Sequence, residues 1–283
     1  MLFLLAALTI PLGLDLYLPV PEDNPLTAET IELGRRLFFD RRLSRDGSIA
    51  CSSCHDPERA FSDGRPLAIG IDGRQGRRNA PALINRGYGR SFFWDGRVST
   101  LEEQVLKPIE DSSEMDLSLP EAASRIGLPS AEISRALASF VRSILSGGSP
   151  FDRFVNDDHA ALSAEQQAGL QLFRGKANCT ACHVGPNFTD EKLHNTGIAW
   201  RDGRLADSGA GHGDFKTPTL REIVRTAPYT HDGSLATLED VIEYYDRGGN
   251  PNPGLDPEIH ALHLSPAEKR NIVAFLRCLN GAN

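Results

Sequence analysis

Two short segments of this chain carry the same arrangement of sulfur and nitrogen donors: Cys51-Ser52-Ser53-Cys54-His55 and Cys179-Thr180-Ala181-Cys182-His183. Two thiols at this separation can each bond to a vinyl group of one porphyrin, and the histidine that follows is thereby placed under the iron as an axial ligand. The spacing reads as c-type haem attachment, twice, with His55 and His183 as iron ligands. Two zinc-binding Cys pairs are the competing reading, but a four-thiolate site would not need a histidine directly after both pairs. A redox-active pair fits less well, since neither segment follows a strand-to-helix pattern. Cys278, in Phe275-Leu276-Arg277-Cys278-Leu279, reads as a small buried apolar residue.

The elements that must hold these segments read as mainly helical. Ser163-x-x-Gln166 and Ser265-Pro266-x-Glu268 have the signature of helix starts, the second with proline at the first helical position. Another helix begins at Ser130 and continues with Ile133, Leu137, Phe140, Val141 and Ile144 at helical spacing, a core stripe. Between the helices, Asp63 to Arg78 and Arg201 to Phe215 are rich in Gly and Pro and lack strand alternation. Such loops are expected where a large prosthetic group supplies core that side chains otherwise would.

The chain repeats itself. Glu32-Leu33-Gly34-Arg35-Arg36-Leu37-Phe38 precedes the first Cys pair, and Ala168-Gly169-Leu170-Gln171-Leu172-Phe173 precedes the second. A proline turn follows each motif, at Asn79-Ala80-Pro81-Ala82-Leu83 and at Thr217-Pro218-Thr219-Leu220. Trp94 lies 13 residues past Pro81, and His231 lies 13 past Pro218. The segments Trp94–Glu103 and His231–Asp240 then match at most positions. Four features in the same order indicate an internal duplication with one haem in each half.

Length and composition agree with two domains. A chain of 283 residues exceeds one comfortable core, and 40% hydrophobic with 24% charged residues is a globular composition. A net charge of −8 argues against a nucleic-acid partner. Gly147-Gly148-Ser149-Pro150 marks the boundary, giving residues 21–150 and 151–283 with one Cys-x-x-Cys-His motif in each, after a leader over 1–20. Met1 to Leu14 is apolar except for Thr9 and suits a secretory signal better than a membrane span. No Lys or Arg precedes the run and no A-x-A site follows it, so a misplaced start, a retained, membrane-tethering leader and a plain buried apolar segment are the other readings. The leader readings imply a bacterial periplasmic protein.

From Asn24 to Gly281 the sequence resembles the bacterial di-haem cytochrome c peroxidases and their MauG-like relatives. Both haem motifs carry the resemblance, with Arg78-Asn79-Ala80-Pro81, Phe93-Trp94-Asp95-Gly96-Arg97, Lys216-Thr217-Pro218-Thr219-Leu220-Arg221 and Tyr229-Thr230-His231-Asp232-Gly233. It implies a mainly α fold of two cytochrome-c-like domains, two covalent haem c groups, and a calcium ion between them. Trp94 matches the tryptophan on the route between the irons. Gln104 and Glu114 match polar residues over the peroxide-binding haem, and Asn79, Thr226 and Pro228 match the calcium site. The implied activity is reduction of hydrogen peroxide at the His55 haem, with Glu114 relaying a proton. Electrons would pass through the second haem from a small c-type cytochrome or cupredoxin. The alternatives are MauG-like oxidation of a protein substrate, as in maturation of a tryptophan-derived cofactor, and a purely electron-carrying cytochrome.

At one point the chain departs from the peroxidase branch. That branch carries a histidine between the first haem motif and Arg-Asn-Ala-Pro, whereas no His lies between Asp56 and Asn79 here. The implied first haem is therefore open without reductive activation, as in the MauG-like branch. The repeat extends this to the sixth ligands: 14 residues past Trp94 is Pro108, and 14 past His231 is Tyr245. Proline offers iron no side-chain donor, while a tyrosine phenolate can bind ferric iron. Tyr245 is thus the expected sixth ligand of the second haem, with Tyr244 and His231 as competitors. The peroxidase branch has methionine there, but the only internal methionine is Met115, in the other half.

Overall fold

A computed structural model describes residues 8–281. Met1–Ala7, the first half of the apolar run on which the leader reading rests, lies outside them. Nine α-helices are described, with two pairs of two-residue strands. The described chain forms two compact units. The first comprises Asp15–Phe92 and Val98–Leu145 with residues 8–10; the second comprises Pro11–Leu14, Phe93–Arg97 and the chain from Ser146 onward. No described helix is long and apolar enough to cross a membrane.

In the first unit, α1 (Ala28–Phe38) is started by Thr27, whose hydroxyl accepts from the Thr30 N–H while the Thr30 hydroxyl accepts from the Thr27 N–H. Glu29 in its first turn and Arg35 and Arg36 in its last complement the helix dipole. Its buried face, Gly34, Leu37 and Phe38, packs on α5 (Ser130–Ser143), where Ile133, Leu137, Phe140 and Val141 form the expected stripe together with Ala136, while Ile144, also buried, falls just past the helix end. Gly34 sets the approach: a Cβ there would stand 1.9 Å from the Ala136 carbonyl oxygen. Phe38 meets Phe140 with ring centroids 5.0 Å apart, and Phe61 joins them at 5.9 and 6.2 Å. Burying each such ring contributes about 1.5–3 kcal/mol.

The second unit repeats this core. Ser163 and Gln166 form a reciprocal cap at the start of α7 (Ala164–Arg174), and Ser265 and Glu268 do so for α9 (Pro266–Leu276), as the sequence predicts. Gly169 takes the place of Gly34, with a Cβ there 1.9 Å from the Asn271 carbonyl oxygen. Phe173 and Phe275 lie 5.1 Å apart, joined by Phe188 at 6.2 and 6.4 Å. Cys278 is buried, and its thiol donates to the Ala274 carbonyl.

After each proline turn the duplication continues in backbone detail. Phe92 N–H bonds Val98 O, and Tyr229 N–H bonds Leu235 O, both at 2.7 Å. Thr100 and Thr237 then cap the helices that follow. Here the halves diverge. The second half has one continuous helix, α8 (Leu238–Asp246), where the first has two short ones, α2 (Leu101–Gln104) and α3 (Lys107–Glu110). Pro108 explains the break, because it has no N–H for the Gln104 carbonyl and its ring crowds that carbonyl. The helix bearing Pro108 is therefore not the simple equivalent of the one bearing Tyr245. Two further helices complete the description, α4 (Leu119–Ile126) and α6 (Pro150–Val155).

One expectation for the Gly-rich loops is corrected. β2 (Trp200–Arg201) pairs with β3 (Arg204–Leu205), and β1 (Leu193–His194) with β4 (Phe215–Lys216), all antiparallel. Asp202 and Gly203 both have positive φ, 51° and 73°, the combination that a two-residue hairpin turn requires.

Candidate functional site

Each Cys-x-x-Cys-His segment is one tight turn. Cys51–Ser53 is a single 3₁₀ turn started when the Ser53 hydroxyl accepts from the Ala50 N–H, and His55 N–H closes on Cys51 O at 3.0 Å. Asp56 then pairs with Ser62, and this small loop returns the Phe61 carbonyl to His55 Nδ1 at 2.9 Å. In the second unit Cys179–Ala181 makes the same turn, and Phe188 O lies 2.8 Å from His183 Nδ1. A carbonyl can only accept, so each neutral imidazole carries its proton on Nδ1, assigning Nε2 as the metal-binding nitrogen.

The electrostatics suit neutral ligands. Burial lowers the pKa of His55, against the carbonyls of Phe61 and Pro81, and lowers that of His183, against the Phe188 carbonyl. Burial raises the thiols of Cys51 and Cys179 to about 12 and those of Cys54 and Cys182 to about 11. All four are free of disulfides, and each unit holds one pair. Among the described residues no three His, Cys, Asp or Glu side chains converge as a metal site. Two thiols per turn, with an oriented histidine after them, are the donor set that haem c requires. Beside His183 opens a pocket of about 190 Å³ walled by Phe151, Leu170, Phe173 and Phe188.

Glu114 belongs to the first unit, near the first Cys pair. It sits on the turn after α3, where its N–H bonds Asp111 O, and its carboxylate is near enough to raise the pKa of both Cys51 and Cys54. The loop without histidine holds this turn: Ile71 N–H donates to Glu114 O at 2.8 Å, and Arg45 and Arg74 bridge Asp72 to Asp116. Pro108 O accepts from Met115 N–H, tying α3 to the same turn. Gln104, half-buried, ends α2. Met115 is buried in the first unit.

Tyr245 lies near the end of α8. Burial raises its phenol pKa, and Tyr244, Cys182 and Cys179 add to the shift, which puts Tyr245 beside the second Cys pair. Tyr244 is committed elsewhere, with its hydroxyl donating to Thr196 O at 2.8 Å and accepting from Asn250 N–H. His231 is buried and stacks on Phe215, with centroids 3.6 Å apart. Trp94 stands at the tip of a tight loop that packs with the second unit, where its carbonyl accepts from Lys216 N–H at 2.7 Å.

The three residues matched to calcium are divided between the units. Asn79, in the first, donates its amide to Arg65 O. Thr226, in the second, donates its hydroxyl to Ile223 O, and Pro228 follows a cis peptide bond. The sequence analysis missed the Phe61, Phe188 and Pro81 carbonyls. Their one sign in the sequence is a phenylalanine soon after each haem motif, six residues past His55 and five past His183.

Comparison with known proteins comes from three sides. The family model described as di-haem cytochrome c peroxidase matches residues 28–130. The chain is similar to the methylamine utilization protein MauG of Methylorubrum extorquens, with 38% identity covering 92% of this chain and 81% of that one. It is also similar to the cytochrome-c peroxidase IdrP1 of Denitromonas iodatirespirans, with 36% identity over 95% of this chain and 86% of the other. A crystal structure of a MauG-like protein associated with microbial copper homeostasis superposes with a TM-score of 0.85 at 34% identity, covering 95% of this chain and 94% of that one.

Proposed function

We propose that this chain, which belongs to the di-haem cytochrome c peroxidase family that includes MauG, is a periplasmic enzyme reducing hydrogen peroxide at a haem on its first Cys-x-x-Cys-His turn. The observation that carries this reading is the asymmetry of two otherwise repeated sites. The first has the Glu114 carboxylate beside its cysteines and Pro108 on a broken helix, and the second has Tyr245 beside its cysteines on an intact one. One site is furnished for substrate and the other for ligation.

Residues 21–150 and 151–283 are then two cytochrome-c-like domains, with Cys51, Cys54 and His55 holding one haem and Cys179, Cys182 and His183 the other. When bound, haem c supplies an iron that coordinates peroxide and takes up its oxidising equivalents. Reducing peroxide to two waters consumes two electrons and two protons. Glu114 takes the proton from one peroxide oxygen and delivers it to the other, and Gln104 orients peroxide by hydrogen bonding. Tyr245 would supply its phenol oxygen to the iron held by the second motif, the buried phenol ionising only beside a cation. Trp94 would serve electron transfer to the first haem, and Asn79, Thr226 and Pro228 would offer oxygen atoms to a calcium ion, as the resemblance implies. The electron donor is a small c-type cytochrome or cupredoxin.

A second reading has the same chemistry directed at a protein side chain, as in MauG. The loop without histidine and the tyrosine at position 245 favour it. A ferric spectrum separates both enzymatic readings from a purely electron-carrying cytochrome. A high-spin component that shifts on adding cyanide is expected, and two wholly low-spin haems would overturn the proposal. Steady-state peroxide reduction with small c-type cytochromes then distinguishes peroxide removal from side-chain oxidation.

A further inference from the structure

Arg221 is only 1% exposed, although nothing in the reaction outlined above uses it. Its guanidinium pairs with both carboxylate oxygens of Asp152, itself fully buried at the start of α6. Nη1 also reaches the Ser149 hydroxyl at 3.4 Å, and the other contacts go to backbone: Nε and Nη2 to the Pro186 carbonyl at 2.9 and 2.6 Å, and Nη2, sharing its hydrogens, to the Gly13 carbonyl at 3.0 Å. A planar fork of five N–H groups can satisfy such a set at once; a lysine ammonium cannot.

The loop gripped in this way is the one that orients His183. The Thr219 hydroxyl donates to Asn187 O at 2.7 Å, and the Arg221 guanidinium lies 5.4 Å over the Phe188 ring. Pro186, Asn187 and Phe188 are therefore each held from the segment Thr219–Arg221, and Phe188 O is the acceptor for His183 Nδ1. Among the described residues the first unit shows no counterpart. Asn85 and Glu222 are matching left-handed residues before matching 3₁₀ turns, and the residue before Asn85 is Ile84. There the Asp56–Ser62 loop closes on itself, with the Ser62 hydroxyl donating to Arg59 O.

We propose that Arg221 is a positioning residue for the second haem ligand, holding the Phe188 carbonyl on His183 and tying the strap Pro11–Leu14 to the same loop. This rests on the reading of His183 as an iron ligand. A firm hydrogen bond at Nδ1 makes the imidazole a stronger donor and stabilises the ferric state, so loosening it raises the reduction potential of that haem alone.

The test uses the full-length holoprotein. Arg221→Lys keeps a charge but loses the fork. Because a buried Asp152 left poorly paired can prevent folding, the double variant Arg221→Met with Asp152→Asn removes both charges and still lacks any donor to Pro186. Low-temperature EPR and a spectroelectrochemical titration are read on each. The expected result is an upward potential shift and altered low-spin g values for the second haem, with the first haem unchanged. A folded double variant whose two haems both match the parent would overturn the proposal, as would equal changes at both haems. His183→Gly keeps the two readings apart. If it leaves the second haem signal intact, the ligand assignment itself fails; if it removes a signal that ignores Arg221, only the positioning role fails.

Discussion

Replacing Gly169 by alanine tests the packing that supports the second site. On an isolated helix this change stabilises by about 1 kcal/mol, because glycine is the poorer helix former. In α7 the added Cβ would stand 1.9 Å from the Asn271 carbonyl oxygen, 2.6 Å from its carbon and 2.8 Å from the Phe275 Cβ. Ordinary contact needs about 3.4–4 Å, so α7 and α9 must separate by more than an ångström, and the obstacle is backbone that no rotamer change can move. Separation also loosens the Phe173–Phe275 contact. Overpacking of this kind costs about 1–3 kcal/mol, and rigid backbone on one side places it at the upper end. The net loss is about 1–2 kcal/mol after the helix-propensity gain, or roughly 2–4 °C of melting temperature per kcal/mol for a unit of this size. Thermal unfolding followed by far-UV circular dichroism measures it. Gly34→Ala, with the same clash against Ala136, should behave alike in the first unit. An unchanged or higher melting temperature for Gly169→Ala would refute the claim that close helix approach fixes this core.

Three further outcomes are expected. Glu114→Gln should leave both haems attached and peroxide able to bind, while stopped-flow absorbance shows the peroxide reaction slowed by about 10²–10⁴-fold; an unchanged rate removes Glu114 from the reaction. Tyr245→Phe should alter the low-spin ferric EPR signal of one haem only, and if instead His231→Ala alone changes it, His231 is the ligand. His194 bonds Asp256 through Nδ1 at 2.6 Å and Asp190 through Nε2 at 2.9 Å; burial pulls its pKa down, but the two carboxylates outweigh burial and leave it raised above about 6.5. A raised folded-state value stabilises fully below the unfolded pKa and fades as pH rises through the folded one, so His194→Gln should cost most stability at pH 5–6 and least in alkali. Urea melts showing the same deficit across that range would contradict this account.

Much of this protein was readable without coordinates, because its central chemistry is local. Cys-x-x-Cys-His works through one turn of backbone, so its spacing alone fixes which groups meet. Serine caps act within a single turn as well, and the structure has the helix starts at Ser163 and Ser265 where the sequence puts them. The duplication was visible for a similar reason, since matching segments in matching order need no contact map. Even the Asp202-Gly203 hairpin carries its signal in two residues, within a stretch whose Gly-rich composition otherwise points to irregular loop.

Tertiary structure decided what depends on distant groups or on backbone atoms that every residue shares. No residue type announces that the Phe61 and Phe188 carbonyls will fix the His55 and His183 tautomers, because a carbonyl belongs to all residues alike. Arg221 and Asp152 meet only after Gly13, α6 and the loop after the second haem motif have come together, and either could have been a solvated charge by sequence. Helical periodicity predicted a buried stripe on α5, but not that α1 and α7 would approach their partners closely enough to demand glycine. That requirement arises from the crossing of two backbones, and a single strand of sequence specifies only one of them.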